Sequence, residues 1–281
     1  MANLLRFFAP YENISISVTH LCDKYCLKCS HRILSSSYRG LGFLDYERIV
    51  GLLRGHQISE IEVIGGEPLM HPNIERLAMR LKYDFPNTRL VLVTNGKKLL
   101  DFPDSFRSLF ARIHITAYGE FNRAIIERVV SEENVFVEKS PAFLDPNITT
   151  PVSVEQARWV HKRCTGKVVR FVDKRIYSCC LAEGIEREYS VRNVFLEIEA
   201  VSPGSWISQL RALPHYQLCQ YCYYAPILLQ SKRERARVYV HRWLQYFLKN
   251  SPFAGRGFRL LLELWRYRKT ESNWYNDHDS A

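Results

Sequence analysis

The sequence lacks any apolar run long enough to cross a membrane and any recognisable secretion signal. No stretch of its 281 residues approaches the roughly 18 consecutive apolar residues of a spanning helix. The N-terminal residues include Leu4, Leu5, Phe7 and Phe8, but Arg6 interrupts them and no small-residue cleavage site follows. We therefore expect a cytoplasmic protein, in a compartment where thiols stay reduced and disulfides are rare.

The sequence also lacks internal repeats, low-complexity segments and marked bias in composition. Hydrophobic residues make up 47% of the chain and charged residues 24%, values typical of a globular, enzyme-sized protein. The length exceeds that of one minimal domain and suits a single α/β barrel with an appendage.

Charge is unevenly distributed along the chain. The net charge is +10, and residues 226–281 alone contain eleven Lys and Arg against five Asp and Glu. A basic excess favours an anionic partner, such as a nucleotide, a phosphorylated sugar, nucleic acid or a lipid surface, although a solvated basic helix explains it equally. No recognition motif accompanies the charge, so nucleic acid is not favoured.

The basic tail, residues 226–281, has the apolar spacing of helices within 227–248 and 258–267. These segments combine basic and aromatic side chains: Lys232, Arg233, Arg235, Arg237, Arg242, Trp243, Phe247, Trp265 and Tyr267. The tail therefore suits peripheral contact with a membrane surface, packing on the rest of the protein, or binding of nucleotide phosphate.

Short strand-like runs alternate with amphipathic helical segments up to about residue 160. The predicted strands cover 14–19, 61–64, 90–94, 112–117 and 135–138, and the predicted helices cover 43–54, 72–83, 105–110, 121–130 and 153–161. This alternation indicates parallel βαβ units. Because the pattern lapses near residue 164, we expect an α/β fold with a partial (β/α)6 TIM-type barrel. In such barrels the site lies at the C-terminal ends of the strands.

The segment after Cys164 has a different sequence pattern. It contains a predicted β-hairpin, 168–172 and 176–178 joined by residues 173–175, and then a region without a clear pattern. A helix is predicted within 205–212, and the pair Cys219 and Cys222 follows it.

Eight cysteines in a reducing compartment indicate metal or redox chemistry. Cys22, Cys26 and Cys29 lie within eight residues, directly after the first strand. Thiolates suit iron–sulfur clusters, and three of them leave one iron of a four-iron cluster open. His31 is close enough to complete a zinc site instead, and three reduced structural thiols are a further reading.

Two further motifs follow the second and third strands. They are Gly65, Gly66, Glu67 and Pro68, and Thr94, Asn95 and Gly96. In this order, behind a CxxxCxxC motif, they resemble the radical S-adenosylmethionine (SAM) superfamily. The resemblance implies that the open iron chelates SAM and that SAM is cleaved to a 5′-deoxyadenosyl radical, which abstracts a hydrogen atom from the substrate. It also implies that the GGEP motif meets the SAM amino group and that the TNG motif meets its ribose side.

Two residues are placed near the SAM carboxylate only by analogy of position. They are Thr116 on the fourth predicted strand and Arg128 on the helix after it. A strand hydroxyl and a helix-surface arginine are the simpler explanations.

The remaining cysteines form a second group. Cys164, Cys179, Cys219 and Cys222 resemble the auxiliary-cluster region called twitch, a shortened SPASM domain, and the resemblance implies a second [4Fe–4S] cluster held by these four. A structural zinc knuckle would use the same sulfurs. Cys180 is the spare thiol, either a hydrogen-atom donor to a substrate radical or a buried structural cysteine.

The sequence thus predicts a radical SAM barrel over 10–160, an auxiliary-cluster domain over 161–225 and a basic helical tail over 226–281. The implied activity is that of an oxidoreductase or epimerase acting on a sugar, cyclitol or nucleotide-linked sugar, with flavodoxin or ferredoxin as reductant. The basic excess favours an anionic substrate. Modification of a ribosomally made peptide is the alternative within the enzyme class. A non-catalytic zinc-binding interaction protein is the alternative outside it.

Overall fold

The protein is described by a computed structural model over residues 13–24, 29, 40–117, 134–139, 151–164, 168–222 and 225. Cys26, His31, the predicted helix 121–130 with Arg128, and the tail 226–281 lie outside these residues.

The described residues contain eight strands and seven α-helices. The strands are β1 (Asn13–Thr19), β2 (Glu60–Gly65), β3 (Arg89–Thr94), β4 (Arg112–Ala117), β5 (Val135–Lys139), β6 (Val169–Val172), β7 (Arg175–Tyr177) and β8 (Leu196–Glu197). The helices are α1 (Phe43–Leu53), α2 (Ile74–Asp84), α3 (Asp104–Arg107), α4 (Val154–Arg163), α5 (Ala182–Tyr189), α6 (Trp206–Ala212) and α7 (Tyr216–Cys219). None of the helices in this part of the chain is long and apolar enough to span a membrane.

The eight strands form one mixed sheet in the order β5-β4-β3-β2-β1-β6-β7-β8. Strands β1 to β5 are parallel, as the alternation of strands and helices predicts, and β6 pairs in parallel with the other side of β1. β7 and β8 are antiparallel to their neighbours. The hairpin β6–β7 therefore continues the main sheet.

The turn of this hairpin is shorter than the sequence predicts. Asp173 and Lys174 alone form it, with φ of 48° and 61°, and Arg175 already belongs to β7. Two consecutive left-handed residues give a primed turn, whose twist matches that of the flanking strands.

Hydrophobic side chains bury the two sides of this sheet against different elements. The main core packs α1, α2 and α6 on one face, and the Trp206 indole donates a hydrogen bond to the Leu52 carbonyl oxygen at 3.0 Å. A second cluster joins Val172 of β6 to α4, α5 and α7. Neighbouring residues of β6 face opposite ways, so Phe171 lies in the main core while Val172 lies in the second cluster.

Candidate cofactor site at the C-terminal ends of the strands

The loop after β2 crosses the segment that leaves β1 at a distance that only glycine permits. The Gly66 amide donates to the Thr19 carbonyl oxygen at 2.7 Å, and the Glu67 amide donates to that of Leu21 at 2.8 Å. A Cβ atom on Gly65 would lie 2.2 Å from the Thr19 oxygen, and one on Gly66 would lie 2.5 Å from the Leu21 oxygen. The two glycines therefore hold the backbone just before the first cysteine motif.

The Glu67 carboxylate joins the loops after β2 and β3. Its side chain is fully buried. One oxygen accepts from the Thr94 hydroxyl at 2.6 Å and the Leu69 amide at 3.1 Å, and the other accepts from the Asn95 amide at 2.7 Å. Burial raises the pKa of Glu67, and these hydrogen bonds only partly offset the effect. Within the described residues, they occupy three of the roughly four acceptor positions of a carboxylate.

Asp23, the residue after Cys22, extends this network to a third loop. Asn95 donates its side-chain amide to Asp23 at 2.8 Å, and the Lys97 ammonium lies 3.1 Å from the other Asp23 oxygen. Burial opposes the shift, but the bonds from Asn95 and Lys97 lower the pKa of Asp23. Sequence reasoning missed Asp23 and Lys97, because nothing in the sequence pairs them.

Two of the three cysteines of the first motif are described. Cys22 and Cys29 form no disulfide with another described residue and are of intermediate exposure, and Cys26 lies outside the described residues. The donor set fits the implied cluster, because Cys22 and Cys29 come after β1 and thiolates are the soft ligands that iron–sulfur clusters take. Within the described residues, no three Cys, His, Asp or Glu side chains are already arranged for a metal.

Thr116 lies one strand beyond this network. It is half-buried near the C-terminal end of β4 and pairs in register with Glu138 of β5. Its contact with SAM stays a prediction.

The sheet face opposite the main core carries a row of polar side chains. Arg170 of β6 pairs in register with Ser15 of β1, and Ser15 pairs with Glu62 of β2. Arg112 of β4 continues the row beyond β3, and His114 follows on the same face. Parallel strands buried on both faces are normally apolar throughout, so this face is suited to polar contacts.

A buried ion cluster lies where this face meets the second hydrophobic cluster. Glu183 of α5 is 1% exposed. One of its oxygens lies 3.0 Å from His20 Nε2 and 2.6 Å from Arg187 Nη2, and the other lies 3.8 Å from Arg170 Nη2. Burial opposes the shift, but His20, Arg170 and Arg187 lower the pKa of Glu183 to about 2. The sequence gives no signal for this cluster, because its members are spread over more than 160 residues.

The second group of cysteines comes from three segments. Cys222 belongs to the second hydrophobic cluster, and Cys179, Cys180 and Cys219 pack against it. Cys164 caps the C-terminus of α4. These segments approach one another, but the described residues do not bring three such ligands into a metal-binding arrangement. The auxiliary cluster stays a prediction.

The adjacent thiols Cys179 and Cys180 differ in their surroundings. The hydrogen bond with Cys180, together with burial, raises the pKa of Cys179. The same hydrogen bond, with the positive charge of Arg170 nearby, lowers the pKa of Cys180. Cys179 interacts with Cys222 and accepts a hydrogen bond from the Leu181 amide at 3.4 Å. Its proximity to Cys222 therefore favours Cys179 as a ligand of the auxiliary cluster. The lowered pKa gives Cys180 more thiolate character, which favours Cys180 for the same role.

The fold is similar to that of radical SAM enzymes. The crystal structure of BtrN in complex with AdoMet and 2-DOIA aligns with a TM-score of 0.52 and 14% sequence identity, covering 74% of this chain and 84% of that chain. At this level of identity the likeness concerns the fold.

Two curated proteins match in sequence. The chain is 30% identical over 96 residues to GTP 3′,8-cyclase of Chlorobaculum tepidum and 28% identical over 102 residues to a probable GTP 3′,8-cyclase of Pyrococcus abyssi. The matches cover 34% and 36% of this chain, and 29% and 33% of the relatives. The chain thus spans about a third of the length of these relatives. No family model matches. These matches, with the shared fold, support the radical SAM superfamily for this chain.

Replacing Gly66 by alanine is expected to disrupt the site through the backbone. The added methyl group would lie 2.5 Å from the Leu21 carbonyl oxygen and 2.8 Å from that of His20. Because neither atom can move without its peptide, we expect the metal-free protein to unfold at a lower temperature. We also expect it to bind less iron on anaerobic reconstitution, measured by thermal unfolding and iron analysis.

Gly51→Ala is the matched control for this variant. A Cβ atom on Gly51 of α1 meets nothing within 4 Å, so alanine should stabilise the helix by up to about 1 kcal/mol. Wild-type stability and iron content in Gly66→Ala would contradict the role given to the glycine contact.

The shifted pKa of Glu183 predicts that the protein loses stability in acid. Its folded-state pKa of about 2 lies below the ordinary 4.5, so the ionised carboxylate stabilises the fold above about pH 4.5 and this contribution is lost as the pH falls toward 2. The contribution is on the order of 3 kcal/mol. Urea unfolding followed by circular dichroism measures it. Glu183→Gln should be less stable at neutral pH and lose less on acidification.

Glu186→Gln on the same helix is the control. Glu186 pairs at 3.2 Å with Arg175, whose side chain is 33% exposed, and partly exposed ion pairs contribute little. An acid response of Glu183→Gln equal to that of the wild type would refute the assignment.

Proposed function

We propose that the protein is a radical SAM enzyme that binds a [4Fe–4S] cluster through Cys22, Cys26 and Cys29 and binds SAM at the loops after β1, β2 and β3. When bound, the cluster and SAM supply a 5′-deoxyadenosyl radical that abstracts a hydrogen atom from the substrate. A flavodoxin or ferredoxin is the expected reductant.

The observation that carries this proposal is the contact of the two glycines with the β1 exit. Gly65 and Gly66 leave no room for side chains beside the residues that lead to Cys22. Glu67 then fixes the backbone of Thr94 and Asn95 through its carboxylate. The chain's own task is to hold three loops in register, so that a bound amino acid group and a nucleoside meet fixed polar atoms.

Glu67 is proposed to act mainly as an organiser of the site. Three of its acceptor positions receive protein donors, which leaves about one for the SAM amino group. Hydrogen bonds from these neutral donors offset part of the cost of burying this carboxylate. Thr94 and Asn95 are therefore presented to the ribose side by Glu67, and Asp23 and Lys97 brace the same loop.

The polar sheet face is suited to binding a small polar substrate. Ser15, Glu62, Arg112 and Arg170 lie in one register row on it. Ser15 and Arg170 are buried, and the partly exposed Glu62 and Arg112 are the groups that can bind a polyhydroxylated molecule. The named relatives are GTP 3′,8-cyclases, and BtrN was solved with 2-DOIA. We propose oxidation or epimerisation of a sugar, cyclitol or nucleotide-linked sugar.

An auxiliary [4Fe–4S] cluster held by Cys164, Cys179, Cys219 and Cys222 completes the proposal. The segments carrying Cys179, Cys219 and Cys222 meet at one hydrophobic cluster. The α4 helix that Cys164 caps is tied to the CxxC segment by the Val152 amide, which donates to the Gln220 carbonyl oxygen at 3.0 Å. Soft thiolate donors suit such a cluster.

Anaerobic reconstitution tests the proposal. We expect about eight irons per chain, the content of two [4Fe–4S] clusters, and release of 5′-deoxyadenosine from SAM under a strong reductant. Cys22→Ala should lose about half of the iron and all SAM cleavage, whereas Cys219→Ala should lose about half of the iron and keep SAM binding. Bound zinc and no SAM cleavage would instead identify a zinc protein.

Paired alanine variants test the roles of the adjacent cysteines. If Cys179 is the ligand and Cys180 the hydrogen donor, Cys179→Ala loses auxiliary iron, while Cys180→Ala keeps it and changes product formation or stereochemistry. Iron analysis and product chromatography measure the two effects. Unchanged product from Cys180→Ala would eliminate the donor role of Cys180. Loss of iron in Cys180→Ala would instead identify Cys180 as the cluster ligand in place of Cys179.

A further inference from the structure

We infer that Glu183 is a positioning residue that couples the chain segment leading into the first cysteine motif to the segment carrying Cys179 and Cys180. The inference rests on the proposed function only in treating both segments as parts of one site. It assigns a role to the buried ion cluster, which the radical SAM motifs leave unexplained.

One end of this coupling is the segment that leaves β1. His20 precedes Cys22 by two residues and is 5% exposed, and its Nε2 lies 3.0 Å from the Glu183 carboxylate. The backbone on either side of His20 is already held by the loop after β2, through bonds to the Thr19 and Leu21 carbonyl oxygens. Glu183 therefore adds a side-chain anchor to a segment whose backbone already meets the loop after β2.

The other end is the backbone of the paired cysteines. Arg170 is fully buried, and its Nη1 donates to the Cys180 carbonyl oxygen at 2.9 Å. Its Nη2 lies 3.8 Å from Glu183. Glu183 itself is only three residues beyond Cys180, on α5. The chain of contacts thus runs from His20 through Glu183 and Arg170 to Cys180.

The negative charge of Glu183 makes it costly to separate the two segments. His20, Arg170 and Arg187 surround one carboxylate at the junction of the sheet and α5. Removing that negative charge takes an ion partner from the buried Arg170 guanidinium, which is costlier than losing a surface pair. In the wild-type protein, the two segments can therefore move relative to each other only if the ion cluster is disrupted.

Hydrogen–deuterium exchange of the metal-free protein tests the coupling without relying on cofactor chemistry. The Gly66 and Glu67 amides report on the β1 exit, because they donate to the Thr19 and Leu21 carbonyl oxygens. In Glu183→Gln we expect both amides to exchange at least about tenfold faster than in the wild type.

Glu186→Gln is the matched control on α5. Glu186 pairs with Arg175 and accepts from the Tyr177 hydroxyl at 3.3 Å, both on β7, so its loss should leave the Gly66 and Glu67 amides at wild-type rates. A lower unfolding temperature for Glu183→Gln with unchanged exchange at these amides would mean that Glu183 only stabilises α5, and would overturn the inference.

His20→Ala separates coupling from loss of folding. It cuts the link on the side of the β1 exit and leaves Glu183 with both of its arginine partners, Arg170 and Arg187. We expect the same faster exchange at Gly66 and Glu67, with α5 close to wild type. Wild-type exchange at these amides in His20→Ala would also overturn the inference.

The reconstituted protein gives an independent reading. Glu183→Gln should raise the KM for SAM more than it lowers kcat for 5′-deoxyadenosine release, while Glu186→Gln leaves both unchanged. Equal KM values for SAM in Glu183→Gln and the wild type would count against the coupling. If the wild-type protein binds no iron, the proposed function fails, whereas the exchange result stands by itself.

Discussion

The candidate site depends on one steric constraint, the approach of two backbones where the loop after β2 crosses the exit of β1. A carbonyl oxygen occupies the space in which Gly65 would carry a Cβ atom, and the Gly66 amide bonds to that same oxygen. Once the crossing is fixed, Glu67 follows at a defined position and its carboxylate can reach the loop after β3. A short motif thus orders three loops, because most of its contacts use backbone atoms.

Two buried carboxylates stabilise this region by different means. Glu67 receives hydrogen bonds from neutral donors, and burial still raises its pKa. Glu183 is surrounded by His20, Arg170 and Arg187, which lower its pKa to about 2. Neutral donors can hold a carboxylate at modest cost when they come from adjacent loops. Glu183 joins segments distant in sequence through full charges, whose loss is severe in a buried position.

The sequence predicts the local elements and the motif positions well, because both depend on neighbouring residues. The β-branched and apolar runs become β1 to β5. The cysteine motif follows β1, and the GGEP and TNG motifs begin at the last residues of β2 and β3. The place of β6 beside β1 is not predictable in this way, since it is set by packing of the whole sheet. The same holds for the Asp23–Lys97 pair and for Glu183, because each interaction joins residues that only the strand order brings together.

Arg170 connects the polar sheet face to the cysteine segments. Its position on β6, next to Ser15 of β1, puts it in the polar row that we propose for substrate. Its guanidinium also contacts Glu183 and the Cys180 carbonyl oxygen. Had β6 belonged to a separate sheet, these roles would need separate residues and no side chain would link them. Because the hairpin continues the main sheet, one buried cation both lies in the polar row and contacts the segment that carries the paired cysteines.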